Sequence, residues 1–104
     1  MPSSELSVVF CYVYVLRSDA SQNFYVGLTH DLKRRFAEHN KGLNFSTKFN
    51  KPWTQVYYEA HTNENDAKRR EKYLKTTAGD QALHRMLREK LTEIKNLSPQ
   101  KVYY

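Results

Sequence analysis

The sequence is poor in cysteine, glycine and proline, and the scarcity of cysteine excludes two classes of protein. Its 104 residues include one cysteine, three glycines and three prolines. Because Cys11 is alone, no internal disulfide can form, which excludes a small secreted scaffold held by disulfides. The lone cysteine and four histidines without ligand-type spacing also exclude a Cys/His zinc cluster. A reducing compartment is therefore allowed, and we expect the cytoplasm.

Long hydrophobic runs are also missing. The apolar stretch from Leu6 to Leu16 has eleven residues, too few to span a bilayer. It follows Glu5 rather than a basic segment and has no small-residue cleavage site behind it, so it does not match a signal peptide. Its β-branched and aromatic residues predict a buried strand instead, and we expect no membrane association.

The composition is that of one globular domain. With 39% hydrophobic and 27% charged residues, the chain is predicted to form a single domain over residues 1–104. We expect its core at about 9–95, with loose tails at 1–7 and 96–104. The strand and helix signals predict an α+β fold in the order β-β-α-β-α-α, a small three-stranded antiparallel sheet flanked by three helices.

Local signals place these elements along the chain. The first helix is predicted over about 31–41, with Gly42 behind it as a left-handed stop. The second helix is predicted to begin near residue 63 and to be broken by Gly79. The third is predicted over about 81–95 on a regular apolar spacing. Alternating or continuous apolar runs predict strands at about 8–16, 24–28 and 53–60.

Positive charge is concentrated in the middle of the chain. The net charge is +6, from 17 Lys and Arg against 11 Asp and Glu. Residues 33–75 contain eleven basic and five acidic side chains, which leaves six of each sign elsewhere. This concentration favours a polyanionic partner, nucleic acid first and an acidic membrane second. Solubility alone is the alternative explanation of a basic domain.

Glu71 is in an unusual position for a purely structural helix. It lies on the apolar stripe of the second helix, where a carboxylate is costly unless it is paired or binds a cation. An ion pair with Arg70 or Arg35 would explain it. So would one Mg²⁺ ion shared with substrate phosphates, because Mg²⁺ often takes only one or two protein carboxylates.

Arg35 and His39 lie four residues apart on the first helix, on either side of Phe36 and close to its core-facing side. A guanidinium group suits a phosphate, and an imidazole exchanges a proton near neutral pH. A salt bridge from Arg35 to Asp31 or Glu38, and a capping role for His39, are the structural alternatives.

Tyrosine is frequent, at eight residues. Tyr14 and Tyr25 lie on the two strands predicted to pair, and Gly27 ends the second of them where another group can approach closely. Most tyrosines on strands are amphipathic core residues. Two phenols beside an arginine and a carboxylate could instead position or deprotonate a water molecule.

Together these residues resemble the GIY-YIG nuclease family. The family's two tripeptides and three later polar residues are matched in order, by Tyr12-Val13-Tyr14, Tyr25-Val26-Gly27, Arg35, His39 and Glu71. Tyr12 stands where the family has its first glycine, and valines replace both isoleucines. The resemblance covers roughly residues 10–78 and is greatest to small stand-alone members related to the N-terminal nuclease domain of the ABC excinuclease. It implies the GIY-YIG nuclease fold.

The resemblance implies metal-assisted hydrolysis of phosphodiester bonds in DNA repair or recombination, by an endonuclease or an exonuclease. Glu71 would hold one Mg²⁺ or Mn²⁺ ion, and Arg35 would neutralise charge on the phosphate. Tyr14 would contact or deprotonate the attacking water, while Tyr25 and His39 orient it or relay the proton. Since the pKa of a free phenol is near 10, Tyr14 would need a cationic neighbour to act as a base.

The basic residues around this set are candidates for contacts with substrate phosphates, namely Lys33, Arg34, Lys48, Lys68 and Arg70. The expected substrate is DNA, with RNA left open, and the expected state is a monomer or a weak homodimer. Trp53 could stack on a base only if exposed, and its place at the start of a strand favours the core. Two other functions stay open, a non-catalytic nucleic-acid-binding module of the same fold and a tyrosine-rich protein-interaction domain.

Overall fold

The protein is built on one three-stranded antiparallel sheet with helices on both faces. The structure, a computed structural model, describes residues 9–97. The strands are β1 (Cys11–Ser18), β2 (Phe24–Thr29) and β3 (Trp53–His61), in the order β2-β1-β3. Within the described residues there are four α-helices: α1 (Leu32–Asn40), α2 (Glu64–Leu74), α3 (Thr77–Met86) and α4 (Arg88–Leu97). The predicted α+β fold class is confirmed, with four helices where three were expected.

β1 is the central strand, and the alternation of its side chains divides the core into two clusters. Its odd-numbered side chains pack against α2 and α3, in a cluster that includes Val13, Val15, Ala67, Leu74 and Leu83. On the opposite face Tyr14 and Leu16 pack with Trp53 and with the α1 residues Leu32 and Phe36. Six of the eight residues of β1 are buried because both faces of the strand are covered. This explains why β1 is continuously apolar in sequence.

The ends of α1 follow the local signals. Asp31 caps the helix by accepting a hydrogen bond from the Arg34 amide at 3.1 Å. Gly42 follows the helix with a φ of 77°, a left-handed conformation that favours glycine. Residues 42–52 then form a loop with one 3₁₀ turn at Lys48–Asn50, which returns the chain to β3.

The prediction that Gly79 breaks the second helix is wrong. Gly79 is buried in the first turn of α3, which is capped by Thr76 through a 3.1 Å hydrogen bond from the Gly79 amide. A Cβ on Gly79 would lie 2.1 Å from the Tyr73 carbonyl oxygen at the end of α2. The glycine therefore allows α3 to start directly against α2, and a helix-breaking role is not needed.

The single helix predicted over 81–95 is instead the junction of α3 and α4. Leu87 departs from helical geometry, with φ −104° and ψ 18°, and separates the two helices. Its amide still donates to the Leu83 carbonyl at 2.9 Å, and the Leu91 amide still donates to the Leu87 carbonyl at 2.9 Å. Because this spacing of four continues across the junction, the apolar pattern contains no sign of the break.

The predicted loose tails at 1–7 and 98–104 lie outside the described residues, while residues 96 and 97 close α4. Among the helices of residues 9–97, none has the length and apolar character needed to cross a membrane.

Candidate active site

Three buried polar side chains form a hydrogen-bonded chain between β1, α1 and the loop that follows α1. The Tyr14 hydroxyl lies 2.8 Å from Nε2 of His39, and Nδ1 of His39 lies 2.7 Å from Oγ1 of Thr47. Tyr14 is 2% exposed, and His39 and Thr47 are fully buried. Oγ1 of Thr47 also donates to the Asn44 carbonyl at 3.5 Å. We therefore assign the His39 proton to Nδ1, which leaves Nε2 to accept from Tyr14.

Burial sets the protonation states of this chain. Burial raises the pKa of Tyr14 to about 12, against the lowering effect of a hydrogen bond to the Arg35 guanidinium. Burial and the nearby Arg35 charge lower the pKa of His39 to about 4. Both groups are neutral at pH 7, Tyr14 as a phenol and His39 as an imidazole. Arg35 is thus the expected cationic neighbour of Tyr14, but desolvation outweighs it.

The remaining candidates surround this pair. The Tyr25 ring lies with its centroid 5.0 Å from that of His39 and 6.4 Å from that of Tyr14. Arg35 interacts with Tyr14, and its Nη1 also donates to Oε1 of Glu38 at 3.0 Å. The five residues singled out from the sequence therefore include four that meet on the α1 face of the sheet.

Glu71 reaches the site from α2, which packs against β1 and the edge strand β2. Its negative charge contributes to the raised pKa of Tyr14, which places the carboxylate within electrostatic range of the phenol. The side chain is 24% exposed, and Oε2 lies 3.2 Å from Nζ of Lys75. The expected alternative of an ion pair with Arg70 or Arg35 is wrong, because each of these arginines pairs with another glutamate.

The donors around Glu71 fit a hard divalent ion. Among residues 9–97, no three His, Cys, Asp or Glu side chains converge as a metal-binding group. One partly buried carboxylate, paired with a half-exposed lysine, suits Mg²⁺ or Mn²⁺ when water and substrate phosphates supply the other ligands.

Gly27 supports Tyr14 from below. The two residues are direct partners in the β1–β2 pairing. A Cβ on Gly27 would lie 2.3 Å from both Cζ and the hydroxyl oxygen of Tyr14. The sequence predicted that some group approaches Gly27 closely, and that group is the Tyr14 ring itself.

Gly27→Ala should therefore move the Tyr14 hydroxyl away from His39. We expect a loss of about 1–3 kcal/mol in the free energy of unfolding, from overpacking, and a loss of about 100-fold in cleavage rate. Urea unfolding and single-turnover cleavage would measure the two effects. Val26→Ala is the matched control, because it weakens the core on the other face of the sheet and should keep the activity of its folded fraction. A wild-type rate for folded Gly27→Ala would contradict the expectation.

Acid should destabilise the protein through His39. The pKa of a histidine is near 6.5 in the unfolded chain and is lowered to about 4 here, so the unfolded chain binds the proton more readily. The contribution of His39 to stability is complete above about pH 7 and is lost as the pH falls from 6.5 towards 4, by up to about 3 kcal/mol. Urea unfolding of wild type and His39→Gln across this range would measure it. An equal pH slope in both proteins would exclude His39 as the cause.

The five predicted phosphate-contacting residues do not lie in one continuous track. Lys33 and Arg34 line a concavity on α1, and Arg34 pairs with Glu38 at 2.8 Å. On α2, Lys68 pairs with Glu64 at 3.0 Å.

Arg70 lines a different concavity, with Tyr73 and His61, and its Nη2 lies 2.8 Å from Oε2 of Glu59. Lys48 belongs to the loop after α1, on the same segment as Thr47. Their roles as phosphate contacts remain predictions.

Thr47 is the residue of the site whose place in it the sequence did not reveal. It stands in a polar loop eight residues after His39, and no periodicity marks it. Trp53 is buried, as predicted, and its Nε1 donates to the Thr47 carbonyl at 3.0 Å. This contact fixes the loop so that the Thr47 side chain meets His39.

The sheet, the paired tyrosines and the convergent Arg35, His39 and Glu71 agree with the comparison of the sequence with known families. The family model of the GIY-YIG catalytic domain matches residues 10–84. The chain therefore belongs to the GIY-YIG family, a family of nucleases, and a nuclease-type function on nucleic acid follows from that membership. GIY-YIG nucleases generally use a divalent metal ion.

Two small proteins are similar to this chain over most of their length. UPF0213 protein CPE1444 of Clostridium perfringens is 34% identical over 73 residues, which cover 69% of this chain and 77% of that protein. UPF0213 protein SH2523 of Staphylococcus haemolyticus is 34% identical over 80 residues, which cover 76% and 95%. Both relatives agree with a small stand-alone GIY-YIG protein, and neither name states an activity. No solved structure matches the chain significantly.

Proposed function

We propose that this protein is a divalent-metal-dependent DNA nuclease that acts in DNA repair or recombination. The observation that carries the proposal is the buried, neutral pair of Tyr14 and His39, joined at 2.8 Å beside Arg35. A structural core gains little from a phenol, an imidazole and a guanidinium held together, because each polar group is costly to bury. The role in repair or recombination rests on the resemblance to the nuclease domain of the ABC excinuclease.

Each side chain has a separate task in this proposal. Glu71 holds the metal ion, which when bound polarises a phosphate oxygen and stabilises the leaving oxygen. Arg35 donates to the phosphate and offsets the charge that develops on it during hydrolysis. The Tyr25 ring packs against His39 and limits the access of bulk water to the pair.

The proton of the attacking water moves through the hydrogen-bonded chain. The Tyr14 oxygen accepts it while the Tyr14 proton passes to Nε2 of His39, so that no phenolate forms. The Arg35 charge is one cause of the low pKa of His39. When a phosphate anion pairs with Arg35, that charge is offset and the proton affinity of His39 rises. Substrate binding thus makes His39 a better acceptor, while Thr47 holds its Nδ1 proton.

A cleavage assay on labelled DNA tests the proposal. Single-stranded, duplex and branched DNA, and single-stranded RNA, would be incubated with the wild type in Mg²⁺, Mn²⁺ or EDTA. We expect cutting of at least one DNA in the presence of metal and none in EDTA. Binding of every substrate without cutting would overturn the proposal in favour of a non-catalytic nucleic-acid-binding module.

A further inference from the structure

Two phenylalanine rings project from the loop that follows α1. Phe45 is 76% exposed and Phe49 is 77% exposed. Their centroids lie 6.1 Å apart with the ring planes at 84°. Nζ of Lys48 lies 4.8 Å from the Phe45 centroid and 4.9 Å from the Phe49 centroid. We call these three residues, Phe45, Lys48 and Phe49, the loop platform.

The loop platform stands on backbone that is tied to the core. Thr47 lies between the two rings in the chain and is fully buried against His39. The Ser18 hydroxyl donates to the Asn50 carbonyl at 2.5 Å, on the other side of Phe49. The rings are therefore presented by a fixed segment, and little loop entropy is lost when a ligand binds. Through Thr47, the same segment is in contact with the candidate active site.

The charge around the loop platform has one sign. Residues 41–53 contain three lysines and no aspartate or glutamate. Exposed aromatic rings on a positively charged segment are the combination that binds single-stranded nucleic acid, because bases stack on the rings while cations contact phosphates. A duplex hides the faces of its bases, so it could use the lysines but not the rings.

We propose that the loop platform binds unpaired bases of single-stranded nucleic acid, which stack on Phe45 and Phe49 while Lys48 contacts a neighbouring phosphate. The sequence suggested Trp53 as a base-stacking residue only if exposed, and its burial leaves that role to these rings. The inference rests on the proposed function for its consequence, namely that the bond to be cut lies beside an unpaired nucleotide. Such a site exists in single strands and at the unpaired parts of branched DNA.

Binding in EDTA tests the inference separately from catalysis. Fluorescence anisotropy would follow a labelled oligothymidine, an abasic oligonucleotide with the same phosphates, and a duplex of the same length. We expect Phe45→Ala with Phe49→Ala to weaken binding of oligothymidine by about tenfold or more. Binding of the duplex and of the abasic strand should change by less than about twofold, because both offer only phosphates to the site.

Matched variants separate stacking from simple hydrophobicity. Replacing both rings by tyrosine should keep the affinity, whereas leucine at both positions should lose as much as alanine. Leu43→Ala is the control, since Leu43 is 70% exposed on the same loop and has no ring.

Three results would overturn the inference. They are an unchanged affinity in the double alanine variant, an equal loss on all three ligands, and a wild-type dimer in sedimentation that the double variant dissociates. The last result would assign the rings to a second copy of the chain. All three outcomes are independent of cleavage, so they leave the proposed nuclease function untouched.

Discussion

Glu71→Gln should abolish cleavage while nucleic-acid binding is retained. The substitution preserves the size of the side chain but removes the charge that holds the metal ion. Since a catalytic metal contributes several kcal/mol to the stabilisation of the transition state, we expect a loss of about a thousandfold or more in the single-turnover rate. Affinity for DNA in EDTA should be unchanged or improved, because a negative charge leaves a basic surface.

A second glutamate offers a matched control for this experiment. Glu93 is paired with Lys90 along its own helix at 2.9 Å, as Glu71 is with Lys75 at 3.2 Å. Glu93→Gln makes the same chemical change away from the site and should cleave at the wild-type rate. Cleavage by Glu71→Gln within about tenfold of the wild type would contradict the assignment of the metal ion to this carboxylate.

Tyr14→Phe and His39→Gln should each slow cleavage by about 10²- to 10⁴-fold, and the double variant should be no slower than the worse single variant. The two side chains form one proton path through their 2.8 Å hydrogen bond, so removal of either interrupts it. Tyr14→Phe keeps the ring that fills the core above Gly27. The measurement is single-turnover cleavage at saturating metal, with urea unfolding to confirm that each variant is folded.

Thr47 extends the same experiment to a positioning residue. Thr47→Val removes the acceptor of the His39 Nδ1 proton and should slow cleavage by at least about tenfold, whereas Thr47→Ser keeps the hydroxyl and should restore the rate. Losses that multiply in the Tyr14–His39 double variant would show two independent functions. A full rate in Tyr14→Phe would exclude the phenol from proton transfer.

Features that depend on neighbours in the chain could be predicted from the sequence. The cap at Asp31 and the stop at Gly42 are local backbone effects, and both occur as expected. The burial of Trp53 followed from its position at the start of a strand. The junction at Leu87 could not be predicted in this way. Its departure from helical geometry coexists with an unbroken spacing of buried leucines, so the apolar pattern is the same for one helix or two.

The sequence by itself determined the order of the strands and helices up to α2 and the residue types at the candidate site. These follow from periodicity, caps and the spacing of a few polar side chains, which are properties of short segments. Only the tertiary structure decided that Tyr14 and His39 are neutral, that Glu71 pairs with Lys75, and that Thr47 joins the site. The reason is physical: a pKa and a hydrogen-bond partner depend on desolvation and on groups brought together from distant parts of the chain.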